Sequence, residues 1–239
     1  MATPLLEVKG VVKRFGGFTA LNNISLDVKP GERFGLIGPN GSGKTTLINC
    51  ISGALAADGG RILFEGSDIG ALPPHRRTRL GIVRSFQIPK PFTSMTVLEN
   101  LEIALEYAAH ARSAGAAAGA LEILERIGLA AKARLRPAGL TQIEMRKLEL
   151  ARAMAARPKL LISDEAMAGL SSAEVDDILA ILFRLNEQGI TIIMIEHIMR
   201  AVMRFSERVV VLDAGNPIAE GTPAEIVRNP AVEKAYLGE

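Results

Sequence analysis

The sequence predicts an α/β fold built on a mostly parallel sheet, and three observations support this prediction. Short apolar runs such as residues 190–195 have the nearly continuous hydrophobicity of strands that are buried on both faces. Segments with helical periodicity follow several of these runs, and this alternation is typical of α/β proteins. The length of 239 residues and the hydrophobic content of 48% suit one large domain or a domain with an inserted lobe.

Residues 5–28 predict antiparallel strands that form a lobe of their own. Apolar and polar residues alternate from Leu6 and again from Ile24, which is the pattern of strands with one buried face. The pair Gly16-Gly17 breaks the pattern between them. Phe15 stands just before this break and either joins the core or stacks on a flat base, and the residues alone leave both interpretations open.

Residues 38–45 fit G-x-x-x-x-G-K-[ST], the pattern of a phosphate-binding loop. A short apolar run precedes this loop, and an amphipathic helix that ends at Gly53 follows it. Glycines let backbone N–H groups point at phosphate oxygens, and the helix N-terminus adds a partial positive charge. We expect Lys44 to reach the β- and γ-phosphates and the Thr45 hydroxyl to bind magnesium. The residues of this loop and of the first turn after it that are predicted to bind the nucleotide are Gly38, Pro39, Asn40, Gly41, Ser42, Gly43, Lys44, Thr45 and Thr46.

The composition excludes several classes of protein. The net charge of +2 argues against a strong electrostatic binder of nucleic acid, so we expect no nucleic-acid partner. The single cysteine, Cys50, has no partner thiol and is interpreted as a packing residue, which suits a reducing cytosol. The N-terminal residues do not show the charged-then-apolar pattern of a secretion signal, so we expect none, and no apolar run reaches the roughly 18 residues of a membrane span.

Helices are predicted where capping boxes occur, at Thr96–Glu99, Ser171–Glu174 and Thr222–Glu225. The alanine-rich residues 108–120 predict a connection between two helices, the second of which spans Leu121 to Ile127. Helical residues 88–157 therefore interrupt an otherwise alternating order of strands and helices.

Polar residues follow three further predicted strands. The apolar run 159–164 reaches the acidic pair Asp164-Glu165, in which the first carboxylate suits a magnesium-bound water and the second a water attacking phosphate. Gln87 and His197 end two other strands, and each is either structural or part of the same site. Strand ends that converge in this way form the usual ligand crevice of an open α/β sheet.

The order of these motifs resembles the nucleotide-binding subunit of an ABC transporter over nearly the whole chain. The motifs in chain order are Phe15, Gly38–Thr45, Gln87, Leu140–Glu144, Leu160–Glu165, Ala168–Ser171 and His197. The subfamily that the chain resembles is that of bacterial branched-chain amino-acid importers. The segments that indicate it are Phe15–Gly17, Arg84–Gln87, Leu148–Arg152, Met167–Leu170, Ile195–His197 and Ala235–Glu239.

The resemblance implies a single ABC ATPase domain over residues 1–239. Residues 1–87 and 158–239 would form a P-loop NTPase (RecA-like) core with an N-terminal antiparallel β lobe. Residues 88–157 would form an inserted α-helical subdomain that docks on the membrane subunit.

The resemblance also implies the cofactors ATP and Mg²⁺ and a set of residue roles. Phe15 would stack on adenine, and His197 would be the switch histidine. Gln87 would join magnesium to the membrane-facing lobe. The catalytic residues would be Glu165, His197, Lys44 and Gln87, and the metal ligands Thr45, Gln87 and Asp164.

The implied function is ATP hydrolysis that energises import of branched-chain or related amino acids through separate membrane subunits. The implied partners are transmembrane permease subunits, a second ABC ATPase subunit and, indirectly, an extracytoplasmic solute-binding protein. The chain would be cytoplasmic and peripheral on the inner face of the cell membrane. The solute, and whether the facing ATPase subunit is identical or a paralogue, stay open.

The segment that a partner's ATP would contact departs from the family pattern Leu-Ser-Gly-Gly-Gln. It consists of Leu140, Thr141, Gln142, Ile143 and Glu144. Thr141 and Glu144 predict a capping box, in which each side chain satisfies the other's backbone N–H. Glu144 also brings negative charge towards a phosphate, which is unfavourable. We hypothesise that the chain's own phosphate loop is competent and that the segment it offers its partner is weak.

Two other classes share parts of this pattern. A non-transport ABC ATPase in DNA repair or on ribosomes has the same core, but coiled-coil insertions or strongly basic surfaces are absent from this sequence. A P-loop small-molecule kinase would lack the series of Gln87, residues 140–144 and His197.

Overall fold

The computed structural model describes residues 3–85, 90–108 and 113–237, which form two sheets with helices packed around them. The strands are β1 (Leu6–Phe15), β2 (Phe18–Val28), β3 (Arg33–Ile37), β4 (Gly59–Phe64), β5 (Ser67–Asp68), β6 (Ile82–Ser85), β7 (Leu160–Asp164), β8 (Thr191–Ile195), β9 (Arg208–Asp213) and β10 (Asn216–Gly221). The helices are α1 (Lys44–Ser52), α2 (Pro74–Leu80), α3 (Val97–Ala108), α4 (Ser113–Ile127), α5 (Gln142–Ala155), α6 (Ser172–Glu187), α7 (Met199–Phe205), α8 (Pro223–Val227) and α9 (Pro230–Leu237).

The smaller sheet has the strand order β2-β1-β4-β5 and is antiparallel throughout. Strands β1 and β2 form a hairpin whose last pair places Phe15 opposite Phe18. Leu6 and Ile24 are fully buried on its inner face, as their alternation with polar residues predicts. The predicted antiparallel lobe is therefore confirmed.

The larger sheet has the strand order β10-β9-β3-β8-β7-β6. All of its pairs are parallel except the one between β10 and β9, at the edge. Because parallel strands end at the same edge, the segments after β3, β7 and β8 lie side by side. The fold thus brings together the strand ends at which the sequence places its polar residues.

The central strands are buried on both faces and contribute to two cores. Leu160 and Ile162 of β7 face the small sheet and helix α1, whereas Leu161 between them faces the helices on the other side. The alternation repeats in β8, where Ile193 and Met194 join opposite cores. Helix α1 is therefore held in the core that the two sheets share, which fixes the phosphate loop at its N-terminus.

Helices α3, α4 and α5 pack on one another in the middle of the chain. Val97, Leu101 and Leu105 are buried and form the inner face of α3. The prediction of a helix only from Leu121 was wrong, because α4 already begins at Ser113.

The early start of α4 has a physical reason. Ala116 and Ala120 are fully buried one turn apart and continue the buried face of Leu124. Alanine has the highest helix propensity, and its small side chain lets helices approach closely. These two effects outweigh the cost of Gly115 and Gly119.

The three predicted capping boxes are present at the starts of α3, α6 and α8. Among the described ranges, none of the helices combines the length and the hydropathy that crossing a membrane requires.

Candidate active site

The phosphate loop links β3 to α1 and lies tightly against neighbouring backbone. A side chain at Gly38, where φ is 150°, would place its Cβ 2.1 Å from the Leu212 carbonyl oxygen. At Gly43, where φ is 104°, a Cβ would lie 2.8 Å from the Ala20 carbonyl oxygen. Both positions therefore require glycine. Within the described residues, no side chain caps the N-terminus of α1, so its first N–H groups suit an anion.

Lys44 is 6% exposed, and its ammonium group lies inside the loop. Its Nζ donates to the carbonyl oxygens of Gly38 (2.7 Å) and Pro39 (3.0 Å). Burial lowers the pKa of Lys44, while the nearby carboxylates of Glu165 and Asp164 act in the opposite direction. A phosphate in this loop would offer Lys44 charged acceptors, which form stronger hydrogen bonds than neutral carbonyls do.

Glu165 and His197 meet across the ends of two neighbouring strands. The Oε1 of Glu165 lies 2.8 Å from the Nε2 of His197. The Glu165 N–H donates to the Ile195 carbonyl oxygen at 2.8 Å, which ties the segment after β7 to the end of β8. Glu165 also has a left-handed φ of 48°, a conformation that concentrates at functional sites when it occurs in residues other than glycine.

A cleft of about 280 Å³ joins these groups. It is lined by Phe15, Phe18, Ala20, Asn40, Gly41, Ser42, Gly43, Lys44, Thr45, Thr46, Glu165 and His197. The structure thus brings Phe15, most of the predicted loop residues and the acid–histidine pair to one cavity. Gln87 lies outside the described residues.

Phe18 is a lining residue that the sequence reasoning missed. It is 62% exposed and lies opposite Phe15, which is 49% exposed, across the Gly16-Gly17 turn. The turn itself was a usable signal, because two residues flanking a two-residue hairpin turn face each other. Two exposed aromatic rings at one wall of the cleft suit a flat, apolar ligand group.

The predicted magnesium ligands Thr45 and Asp164 fit that ion. Both offer hard oxygen ligands, and Asp164 is 6% exposed at the end of β7. Among the described residues, no group of three or more histidine, cysteine or acidic side chains forms a metal cage. Magnesium at phosphate sites typically takes one or two carboxylates and completes its shell with phosphate and water, so a sparse donor set is appropriate.

Residues 140–144 lead into the first turn of α5 and are not among the residues that line the cleft. Thr141 Oγ1 accepts the Glu144 N–H, and Glu144 Oε2 accepts the Thr141 N–H at 2.9 Å. The capping box that the sequence predicts is therefore confirmed. The Thr141 N–H is also the main cause that lowers the pKa of Glu144. Lys132 lies 3.6 Å from the same carboxylate.

The segment after Glu165 is held from two sides. The Glu196 Oε1 accepts the Met167 N–H at 2.9 Å, and the Arg146 Nη2 of α5 donates to the Ala168 carbonyl oxygen at 3.2 Å. Glu196 is 2% exposed, and burial raises its pKa to about 7. Sequence reasoning missed Glu196, because a glutamate next to His197 carries no signal of burial.

Comparison with known proteins identifies the family. A family model described as ABC transporter matches residues 21–168. The chain belongs to the ABC transporter family. A second model, described as branched-chain amino acid ATP-binding cassette transporter, matches residues 216–239 of this ABC ATPase.

Curated relatives match over the full length. The high-affinity branched-chain amino acid transport ATP-binding protein BraF of Pseudomonas aeruginosa is 41% identical, with 100% of both chains covered. The LivG protein of Escherichia coli, which carries the same description, is also 41% identical with 100% coverage of both chains. The crystal structure of the ADP conformation of an ABC transporter's ATP-binding cassette is 33% identical, with a TM-score of 0.89 and 100% of both chains covered. The predicted resemblance and the predicted fold are both confirmed.

Proposed function

We propose that this ABC ATPase hydrolyses ATP to energise import of branched-chain or related amino acids through separate membrane subunits. The observation that carries the proposal is the cleft in which an intact phosphate loop faces the Glu165–His197 pair. The full-length similarity to BraF and LivG supports the transport role. It does not favour a non-transport ABC ATPase or a small-molecule kinase.

In this proposal, Glu165 is the general base that polarises the water attacking the γ-phosphate. His197 lies against its Oε1 and orients the carboxylate while facing the same cleft. Lys44 and the N–H groups of the loop stabilise the negative charge that develops during attack. The rings of Phe15 and Phe18 provide the wall on which the base stacks.

Thr45 and Asp164 are proposed to hold Mg²⁺. The ion, when bound, neutralises charge on the β- and γ-phosphates. Gln87 is the third proposed ligand, on the strength of the family resemblance.

The proposed assembly pairs this chain with a second ATPase subunit, identical or paralogous, and with permease subunits in the membrane. The helical residues 88–157 are proposed to dock on the permease, so that the chain is cytoplasmic and peripheral at the inner face of the membrane. The solute-binding protein would act on the far side without contacting this chain.

The solute class rests on the relatives rather than on the site. The methionine import ATP-binding protein MetN of Rhizobium johnstonii is also 41% identical, over 96% of this chain and 64% of its own. Similar ATPases thus serve importers of different amino acids, and branched-chain amino acids are proposed because BraF and LivG match at full length.

Two measurements test the proposal. The purified chain with its partner subunit should release phosphate from ATP only when Mg²⁺ is present and without any acceptor substrate. A strain that lacks this chain should lose uptake of radiolabelled leucine, isoleucine and valine, and only the wild-type gene should restore it, not Glu165→Gln. Unchanged uptake of all three would contradict the proposed solute class.

A further inference from the structure

Arg84 occupies a position beside the site that the proposed function leaves unexplained. It lies on β6, and its side chain is 12% exposed. Its Nε and Nη2 both donate to Asp164 Oδ2, at 3.1 Å and 2.5 Å. Its Nη1 donates to the Asn49 Oδ1 at 2.7 Å. One guanidinium group therefore connects the carboxylate at the end of β7 with helix α1.

The geometry of these bonds leaves one carboxylate oxygen for a ligand. Both donors of Arg84 converge on Oδ2 of Asp164, and no hydrogen bond from the described residues reaches Oδ1. A carboxylate that is hydrogen-bonded through one oxygen keeps a fixed orientation, and its other oxygen can still bind a metal ion. Arginine suits this role because its guanidinium is a planar, rigid fork.

The other end of the bridge leads to the second proposed metal ligand. Asn49 comes one helical turn after Thr45 on α1, so the two side chains share a face of that helix. Arg84 thus fixes Asp164 relative to the helix that carries Thr45. The distance between these two oxygen ligands decides whether both can serve a single small ion such as Mg²⁺, which demands near-ideal octahedral geometry.

We propose that Arg84 is a positioning residue for the metal site, and that it acts through Asp164 and is anchored by Asn49. This inference rests on the proposed ATPase function. Hydrogen-bond partners of metal-binding carboxylates typically contribute about 10- to 100-fold to metal affinity or activity. The alternative role is competition, in which a cation beside Asp164 repels the metal.

The positioning role and the competing role predict changes of opposite sign in metal affinity when Arg84 is replaced. If Arg84 positions Asp164, its loss weakens metal binding. If Arg84 competes with the metal, its loss strengthens metal binding, because the carboxylate regains its full charge. The sign of the change in metal affinity therefore distinguishes the two roles.

The test uses Mn²⁺ as a probe for Mg²⁺ and a non-hydrolysable ATP analogue with an imido bridge. The full chain is saturated with the analogue, and free Mn²⁺ is measured by electron paramagnetic resonance. We expect about tenfold weaker Mn²⁺ binding for Arg84→Gln and for Asp164→Asn. Because Arg84 acts through Asp164, the double variant should bind Mn²⁺ no more weakly than Asp164→Asn alone.

Three further variants separate charge from geometry. Arg84→Lys keeps the charge without the fork and should recover part of the affinity. Asn49→Leu leaves the charge at Asp164 unchanged and removes the anchor, so it should weaken Mn²⁺ binding less than Arg84→Gln does. Arg79→Gln removes an exposed arginine of α2 and should leave the affinity unchanged. If Arg84→Gln does not fold, Asn49→Leu still tests whether the anchored Arg84 positions Asp164, because weaker Mn²⁺ binding in this variant supports positioning and unchanged binding contradicts it.

Tighter or unchanged Mn²⁺ binding in Arg84→Gln would overturn the inference. The inference would also be overturned if the double variant lost as much Mn²⁺ affinity as the two single variants together, since Arg84 would then act independently of Asp164. Neither result contradicts the proposed function, which in this experiment requires that the wild-type protein shows an Mn²⁺ site that depends on the analogue. A wild-type protein without that site would overturn the proposed function and the inference together.

Discussion

The N-termini of α1 and α5 differ in how their backbone N–H groups are satisfied. At α1 the cap is Gly43, with no side-chain cap and no acidic residue in the first turn among the described residues. At α5 the cap is Thr141, which exchanges hydrogen bonds with Glu144. The first helix start is thus open to an anion, and the second is filled by its own carboxylate.

This difference supports the hypothesis that the N-termini of α1 and α5 contribute unequally to catalysis. In a proposed dimer with a paralogous subunit, one ATP lies between this chain's phosphate loop and the partner, and the other ATP lies between the partner's loop and segment 140–144 of this chain. This chain would provide a strong loop for its own ATP and a weak partner segment for the other. Changes at Lys44 and Glu144 test that inequality with a large and a small expected effect, and a change at Glu196 tests how the segment after Glu165 is held.

Lys44→Ala should abolish most of the hydrolysis at the loop. Among the described residues that line the cleft, Lys44 is the one lysine or arginine. Its ammonium group lies next to the N–H groups of the loop. Loss of one donor to a developing oxyanion typically costs roughly 100-fold or more in rate. Phosphate release under single-turnover conditions measures the effect, and Lys234→Ala, at an exposed position of α9, is the control. A loss below about tenfold would show that the loop depends on its backbone alone.

Glu196→Gln should change how stability depends on pH. The pKa of Glu196 rises from an ordinary 4.5 to about 7 on folding, because the carboxyl group is buried. Between these values the folded state holds a proton that the unfolded state has lost, so stability falls as pH rises through this range. Below this pH range, Glu196 is protonated in both the folded and the unfolded state, so its titration takes nothing from the stability of the folded protein.

The Gln variant keeps an acceptor for the Met167 N–H and has no proton to lose. Its melting temperature should therefore exceed that of the wild type by several degrees at pH 8 and not at pH 4.5. Glu187→Gln, at an exposed site, is the control. If the melting temperatures of the wild type and of Glu196→Gln changed equally with pH, Glu196 would not titrate in this range.

Glu144→Gln should raise the rate at the site that residues 140–144 complete. The amide oxygen can still accept the Thr141 N–H, so the cap survives while the negative charge disappears. We expect a gain of about two- to fivefold, the size of a screened charge effect near the surface. Thr141→Ala is the matched control, because it breaks the cap at a cost of about 1 kcal/mol of stability and leaves the charge in place. A lower rate in Glu144→Gln would contradict the charge argument.

Much of the fold and site was predictable because the signals are local. The phosphate loop depends on residues adjacent in sequence, and the capping boxes depend on pairs three residues apart. Strand ends were predictable from apolar runs that stop at polar residues. These local rules are sufficient to place Lys44, Glu165 and His197 at one edge of the sheet.

The contacts that could not be predicted from the sequence are those between residues far apart in the chain, which the order of the strands brings together. Arg84 meets Asp164 because β6 and β7 are neighbours, although the sequence separates them by the whole helical segment. Glu196 is buried because the segment after Glu165 folds over it. The early start of α4 was missed for another reason, since tertiary packing of Ala116 and Ala120 outweighs the glycines beside them.

The central claim is that this chain's own loop, with Glu165 and His197, hydrolyses ATP. The most direct test is magnesium-dependent phosphate release by the chain assembled with its partner subunit, with Glu165→Gln introduced in this chain alone. The variant should still bind ATP, because Glu165 is outside the loop, and its site should turn over roughly 100-fold more slowly. The assembly should therefore lose most of its activity. Nearly full activity in the Glu165→Gln assembly would contradict the account.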